Sequence, residues 1–390
     1  MLLIPHRFCL IAALVLGLGL VGVLHAAEGD AGHGSLEFGL GFYSNEDGSV
    51  GEDGNPFLDE ESTIIEPVIV FDYNISDETA TWIKLSYDHV SSASIEQLNN
   101  YSEQSGASGD NYISIEGGLR RQPDARQTWG VFGHVSSEYD YFSLGLGGDY
   151  MRIAPDGNSS VKYSVNGFFD TMDVIRYYGA DEGTDTRITL SGQINAYQVI
   201  GPSTHAEYGG VLTLQSGFLE TPYNFVVIED LEDDTVANSN LVGNANGREV
   251  IEELEDTLIR GAVFGRVRWS LSPRNSVELG GRIYTDSWGL TGVSLEPRWY
   301  HWLIDGRLRL RVRYRFYTQT AADAYSEHFY AEPEFRTQDS DMGEFDALTV
   351  GGLLTLFSSE NSEYDLGVDY VNRSDGINQI LARFAYRRNF

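Results

Sequence analysis

The segment that decides the fold reads Arg-Leu-Arg-Leu-Arg-Val-Arg-Tyr-Arg-Phe-Tyr and spans residues 307–317. Arginine occupies every odd position from Arg307 to Arg315, and an apolar residue occupies every even position from Leu308 to Phe316. A period of two places the arginines on one face of a β-strand and the apolar residues on the other. An arginine that faces lipid near the membrane midplane costs roughly 2 to 4 kcal/mol. We therefore expect the five guanidinium groups to face the interior of a membrane barrel.

The same alternation recurs along the rest of the chain. Sixteen candidate strands of about nine to fifteen residues each follow from it, which suits tilted membrane strands. They begin near Ser35, Thr63, Thr79, Asn111, Thr128, Tyr141, Ser160, Asp185, Thr204, Leu258, Asn275, Thr291, Leu308, Gly343, Glu363 and Ile377.

Connection lengths provide an independent test, because outer-membrane barrels have short periplasmic turns and long external loops. Long connections are predicted at 44–62, 91–110, 172–184, 219–257 and 319–342, and short ones at 76–78, 201–203, 272–274, 303–306 and 358–362. Short connections near 138–140 and 287–290 interrupt this pattern and leave the count open by two strands. The sequence predicts an all-β transmembrane antiparallel up-and-down β-barrel of about sixteen strands.

The N-terminus has the layout of a secretory signal peptide. An apolar run at 8–24 follows a basic residue and precedes two alanines, which favours residues 1–27 as a cleaved signal over an uncleaved anchor. Residues 28–390 then form a single barrel domain. Cys9, the one cysteine of the chain, lies in the signal, so the predicted mature chain has no disulfide, thiolate nucleophile or cysteine metal site.

The C-terminus ends on an aromatic residue, Phe390, with Tyr386 and Phe384 at alternate positions before it. This arrangement resembles the terminal signal read by the barrel-assembly machinery, although Arg388 stands where an apolar residue is usual. An ordinary final strand is the alternative. The pattern predicts the assembly machinery as a partner and the outer membrane of a Gram-negative bacterium as the location.

The charge of the chain is strongly acidic and unevenly distributed. The 58 acidic and 26 basic residues give a net charge of −32, which excludes a phosphate-binding role toward nucleic acid. Residues 1–259 carry a net charge of −31, and residues 260–390, with 16 of the 24 arginines, carry −1. The acidic excess therefore belongs to the first part of the chain and its loops.

Two predicted external segments, 45–61 and 229–256, concentrate the acidic residues. They suggest divalent cations that bridge the loops to lipopolysaccharide, with Glu52, Asp53, Asp233 and Asp234 as weak metal candidates. Neither segment fits the EF-hand spacing, and solvated loops are the favoured interpretation, so no cofactor is assigned. The second segment is long enough to fold inward as a constriction, with a short helix at 248–256.

On the other predicted strands, charged residues that alternate with apolar ones should also face inward, as those at 307–315 do. Arg387 is one of them. The predicted lumen-lining residues are Arg266, Arg268, Arg282, Arg298, Arg307, Arg309, Arg311, Arg313, Arg315, Arg383, Glu278, Glu296, Asp365 and Asp369. They form either a strip that favours anionic solutes or a set of ion pairs that brace the wall. The near-zero charge of residues 260–390 favours the brace or a mixture of the two.

Catalysis has little support in the sequence. No Gly-x-Ser-x-Gly motif occurs, and the mature histidines lack paired metal-ligand spacing. A metal or active site at His328 and its acidic neighbours is less favoured than a solvated loop. We predict that the protein is not an enzyme.

Several motifs resemble a poorly characterised family of bacterial outer-membrane β-barrels, classed as a domain of unknown function. The most specific is LRLRVRYRFYTQTAADAY at 308–325, and others are VSSASIE at 90–96, SGFLETPY at 216–223, DSWG at 286–289 and residues 295–302. The resemblance implies an outer-membrane barrel of unassigned activity. Relatives lie beside genes for small lipoproteins and periplasmic redox or flavin-transfer proteins, which implies periplasmic or lipoprotein partners besides membrane lipid.

These observations predict a porin-like barrel that passes or binds a small solute through an arginine-lined lumen. The alternative is a non-conducting structural or partner-docking barrel of an envelope system, with the lumen plugged by its own loops.

Overall fold

A computed structural model describes residues 31–47, 62–92, 110–229 and 247–390. The predicted signal peptide at 1–27 and the weak metal candidates Glu52, Asp53, Asp233 and Asp234 lie outside these residues. Within the described ranges, no helix is long and apolar enough to cross a membrane.

Sixteen antiparallel strands form one closed barrel, as the sequence predicts, and two further strands form a separate hairpin, β10–β11. Each barrel strand pairs with its neighbours in chain order, except that β9 pairs with β12 and β18 closes on β1. The strands are β1 (Gly34–Asp47), β2 (Ser62–Ser76), β3 (Thr79–Ser92), β4 (Asp110–Asp124), β5 (Gln127–Ser137), β6 (Tyr141–Ile153), β7 (Ser159–Ile175), β8 (Asp181–Gly201), β9 (Thr204–Gly217), β10 (Phe225–Glu229), β11 (Gly247–Ile251), β12 (Thr257–Ser272), β13 (Asn275–Asp286), β14 (Thr291–Ile304), β15 (Leu308–Gln319), β16 (Phe345–Ser359), β17 (Ser362–Arg373) and β18 (Ile377–Asn389).

The outer face of the barrel is apolar. Leu146, Val263 and Leu366 are 74%, 60% and 59% exposed, and they alternate with buried or half-buried neighbours along their strands. Such a face is stable only against lipid, and barrel closure satisfies the backbone groups that an open sheet edge would leave unpaired. Trp129 and Trp269 are exposed on this face near the short turns, where aromatic girdles lie in outer-membrane barrels.

The first and last strands of the barrel meet where β18 closes on β1. The backbone nitrogen of Gly34 donates to the carbonyl of Phe390 at 2.9 Å, and the nitrogen of Phe390 donates to Gly34 at 3.0 Å. The Phe390 ring stacks on Phe71 of β2 at 6.2 Å, and Phe384 and Tyr386 alternate with the inward positions of β18. Recognition of these three aromatics by an assembly machinery stays a prediction.

The connections differ between the two ends of the barrel. One end has the short turns, among them 77–78, 202–203, 273–274 and 360–361, and the other carries the connections at 218–256 and 320–344. The short connections at 138–140 and 287–290 belong to the long-loop end. They leave the count of barrel strands at sixteen.

The predicted helix at 248–256 is wrong, because residues 247–251 form strand β11. Val226 pairs with Val250, and Phe225 pairs with Ile251, so β-branched and aromatic residues, which favour strands, are neighbours across the hairpin. Val226, Ile228 and Phe329 form a buried cluster against which Val250 packs. Burial against the 320–344 connection, which local sequence does not reveal, favours the extended conformation.

This hairpin and its surroundings form a folded cap, which we define as residues 218–229, 247–256 and 320–344. The Tyr223 hydroxyl donates to Asp140 in the β5–β6 turn, and Glu220 pairs with Arg176 of the β7–β8 turn at 3.0 Å. On the opposite side of the cap, Asp341 pairs with Arg373 at the end of β17. The cap therefore joins connections from β5 round to β18.

Candidate functional site

The inner face of the barrel carries the arginine ladder of β15. Tyr314 and Phe316 are 47% and 52% exposed on the outer face, and the arginines between and before them are half-buried on the other face. Arg313 of β15 contacts Asp369 of β17 at 2.8 Å, although β16 lies between those strands. Side chains two strands apart approach one another on the concave side of a curved sheet, so this polar face is the inner face of the wall.

The structure brings most of the predicted lumen residues onto this inner face. By strand parity and burial they are Arg266 and Arg268 on β12, Glu278 and Arg282 on β13, Glu296 and Arg298 on β14, Arg309, Arg311, Arg313 and Arg315 on β15, Asp365 and Asp369 on β17, and Arg383 and Arg387 on β18. Arg307 is the exception and corrects the sequence interpretation. It precedes β15 in an exposed turn, because the alternating run begins one residue before the strand does.

A brace of alternating charges joins five of these side chains. Arg298 contacts Glu278 at 2.9 Å and also contacts Glu296, while Arg313 contacts Asp369 at 2.8 Å and Glu296 at 3.7 Å. All five side chains are at most 13% exposed. The fixed fork of arginine suits such shared carboxylates, so the brace links β13, β14, β15 and β17.

Gly351 of β16 creates the room for the central pair of the brace. A Cβ atom at Gly351 would overlap the Asp369 carboxylate and come within 3.3 Å of Arg313 Cγ. Because β16 lies between β15 and β17, any larger residue there would separate the two charges. The glycine is therefore a component of the brace.

A second set of inner-wall arginines has no carboxylate partner within 4 Å among the described residues. The set includes Arg268, Arg282, Arg309, Arg311, Arg315 and Arg383. Arg311 Nε is buried and has no hydrogen-bond acceptor in the described part of the chain. Arg315 and Arg309 lie over aromatic rings, those of Tyr317 at 5.2 Å and Trp302 at 5.6 Å. The ladder is thus divided between paired and unpaired positive charges.

The first half of the barrel contributes ion pairs that the sequence interpretation missed. Arg187 of β8 contacts Asp170 of β7 at 2.8 Å, and Lys162 contacts Asp149 at 3.2 Å. Polar residues at alternate positions after Arg187, in the run RITLSGQIN, are the sequence signal that indicates this inward face. From sequence, the acidic excess of the first half is assigned to the loops, and these ion pairs are therefore not predicted.

The cap buries a pair of carboxylates, Glu252 and Asp339, each 1% exposed. Glu252 accepts hydrogen bonds from the Thr221 nitrogen at 2.8 Å, Asn224 Nδ2 at 3.0 Å and the Thr337 hydroxyl at 2.6 Å. Burial, and next the negative charge of Asp339, raise the pKa of Glu252 to about 7. Burial also raises the pKa of Glu220 in the same cap.

The motifs at 216–223, 286–289 and 321–325 meet at the base of this cap. Trp288 packs with Leu258 and Ala322, and Leu219 and Tyr325 contact the same cluster. The Asp323 nitrogen donates to the Trp288 carbonyl at 2.8 Å, and its carboxylate lies against Gly289, whose φ is +88°. Asp323 therefore ties the cap to the β13–β14 turn.

The described residues include no group of three or more side chains suited to a metal ion. His328 Nδ1 lies 2.7 Å from Glu229 Oε1, and the His328 ring stacks on that of Tyr330 at 6.5 Å.

A closed sixteen-stranded barrel with an apolar outer face and a charged inner face defines the class as an outer-membrane-type β-barrel. Residues 97–382 match the family described as "Protein of unknown function (DUF3570)", and the chain belongs to that family. The predicted resemblance is thereby confirmed.

Several solved structures are similar to this chain at low sequence identity. The structure described as "Bacterial polysaccharide outer membrane secretin" is 8% identical, with a TM-score of 0.50 over 91% of this chain and 98% of that chain. OpdK from Pseudomonas aeruginosa with vanillate is 8% identical, with a TM-score of 0.42 over 92% and 99%. The siderophore receptor PirA from Acinetobacter baumannii is 11% identical, with a TM-score of 0.45 over 88% of this chain and 53% of the receptor. No curated protein matches the sequence. The fold supports an outer-membrane location.

Proposed function

We propose that the protein is an anion-preferring outer-membrane channel whose inner wall binds and passes small solutes. The observation that carries the proposal is the set of inner-wall arginines without a carboxylate within 4 Å in the described part of the chain, which includes Arg268, Arg282, Arg309, Arg311, Arg315 and Arg383. Guanidinium groups keep their charge when partly desolvated and attract anions into a narrow lumen. Within the brace, arginines and carboxylates offset one another's charge. The wall therefore combines rigid ion pairs with a surface that attracts anions.

The proposal includes the route to the membrane. Residues 1–27 direct export as a cleaved signal, and the assembly machinery of a Gram-negative envelope recognises the C-terminal aromatics. The proposed partners are cations at the acidic loops, lipopolysaccharide, and periplasmic or lipoprotein components. The protein itself has no catalytic role in this proposal.

A non-conducting barrel is the second candidate function, and the cap favours it. The contacts of Tyr223 with Asp140 and of Asp341 with Arg373 tie the cap to connections on both sides of the long-loop mouth. If the cap blocks the lumen, the same wall holds a solute or a partner without passing it.

Conductance of the purified protein in planar bilayers tests the proposal. We expect ion-permeable openings whose reversal potential in a potassium chloride gradient shows a preference for chloride. Replacing Arg311 and Arg315 together by glutamine should lower the chloride-to-potassium permeability ratio by roughly tenfold, because neither charge has an acidic partner within the described ranges.

Arg307→Gln is the matched control, since Arg307 belongs to the same run but lies in the exposed turn. Its permeability ratio should remain that of the parent protein. Absence of openings from a correctly folded preparation would refute the channel and support the closed barrel. An unchanged ratio in the double variant would refute the role of the arginines.

A further inference from the structure

A pocket of 460 Å³ lies on the inner wall near the short-turn end of the barrel. Its inward-facing lining includes Tyr197 of β8, His205 of β9, Arg268 of β12, and Tyr300 and Trp302 of β14, and Arg309 of β15 completes it. This volume is within the range of sites that bind small organic ligands. The pocket combines positive charge with aromatic surface on five strands.

Three arginines line the pocket: Arg274 pairs with Asp305, and the other two lie over aromatic rings. The guanidinium carbon of Arg268 lies 4.0 Å from the centre of the Tyr300 ring, and that of Arg309 lies 5.6 Å from the centre of the Trp302 ring. Arg268 reaches Tyr300 across β13, while Arg309 is on the neighbouring strand β15, so the two charges flank β14 from opposite sides. Stacking fixes a guanidinium plane and leaves its N–H groups at the edge for a ligand.

The nearest carboxylates on these strands form ion pairs with arginines outside the pocket. Glu207 pairs with Arg266 at 3.1 Å, and Glu278 pairs with Arg298 at 2.9 Å. Arg268 donates instead to the Ser276 hydroxyl at 3.0 Å, and neither it nor Arg309 has a carboxylate within 4 Å in the described ranges. The pocket therefore has two positive charges that the described part of the chain does not neutralise.

We propose that this pocket binds a small cyclic organic anion. Arg268 and Arg309 hold its acidic group, since guanidinium forks match a carboxylate, and Tyr197, Tyr300 and Trp302 contact its ring. The ring belongs to an aromatic acid or a sugar acid, which share this chemistry. The inference rests on the proposed function in one respect: the pocket selects among the anions that the inner wall admits.

Isothermal titration of the purified barrel with four probes tests the pocket. Benzoate and glucuronate present a ring with a carboxylate, and benzyl alcohol and glucose are their neutral counterparts. We expect saturable binding of benzoate, glucuronate or both, with at least about tenfold weaker binding of the neutral counterpart, because charge-assisted hydrogen bonds are lost. The acid that binds identifies the kind of ring.

Two variants locate the binding. Arg268→Gln and Arg309→Gln should each weaken binding of the acid by about tenfold, while Arg307→Gln, at the same end but outside the pocket, should leave it unchanged. Equal affinity for acids and neutral counterparts, or unchanged affinity in both pocket variants, would overturn the proposal. Binding of neither acid would overturn it as well.

Bilayer recordings with the same probes separate this proposal from the channel. Saturable binding in a protein that shows no openings supports the pocket and refutes conduction. Chloride-preferring openings in a protein that binds neither acid refute the pocket and leave the channel standing.

Discussion

Arg313→Ala is expected to lower the free energy of unfolding of the barrel by about 3 kcal/mol, because it leaves a buried carboxylate without its partner. Asp369 is paired with Arg313 at 2.8 Å, and their side chains are 10% and 11% exposed. Glu296 keeps Arg298 as a partner, so the loss falls mainly on Asp369. Urea unfolding of the protein in lipid vesicles, followed by tryptophan fluorescence, measures the change.

An exposed ion pair provides the matched control. Arg274 contacts Asp305 between two short turns, where the side chains are 59% and 58% exposed. Arg274→Ala should change the unfolding free energy by less than about 1 kcal/mol, since water screens the pair. Removing both charges of the brace pair, as Arg313→Ala with Asp369→Ala, should restore part of the lost stability. Equal effects of Arg313→Ala and Arg274→Ala would contradict the brace.

The barrel could be predicted from sequence because its determinant is local. A strand of the wall must be apolar on the lipid side at every second residue, so the alternation around Leu308 and Phe316 identifies both the strand and its inner face. The short turns are equally local, and all sixteen predicted segments correspond to barrel strands. The boundary error at Arg307 arises because alternation continues into the turn.

The division of the ladder into paired and unpaired arginines could not be predicted. Arg311 and Arg313 are two residues apart and share one face, yet only Arg313 meets a carboxylate. The difference depends on the register that brings Gly351 between Arg313 and Asp369, and register results from the pairing of whole strands. For the same reason the cap was missed, because its hairpin is buried by residues about a hundred positions away in the chain.

The buried carboxylate pair makes the stability of the cap depend on pH. The pKa of Glu252 is raised from 4.5 to about 7, so the folded cap retains a proton that the unfolded cap releases. Stability is therefore full below pH 4.5 and decreases as the pH rises to about 7. Amide hydrogen exchange of Val226 and Val227, corrected for the intrinsic rate, should show this decrease between pH 5 and pH 8.

Glu252→Gln should abolish the pH dependence, and Asp339→Asn should reduce it, because burial still raises the pKa of Glu252. Asp339→Asn relieves the repulsion and leaves the three donors to Glu252 in place, whereas Glu252→Gln removes the titrating group itself. Glu255→Gln is the matched control, because Glu255 is exposed in the same segment and should leave the pH profile unchanged. The barrel strands lie outside the cap, so their protection from amide hydrogen exchange should not follow the pH dependence of the cap. A cap that is equally protected at pH 5 and pH 8 in the parent protein would show that the carboxylate pair does not control it.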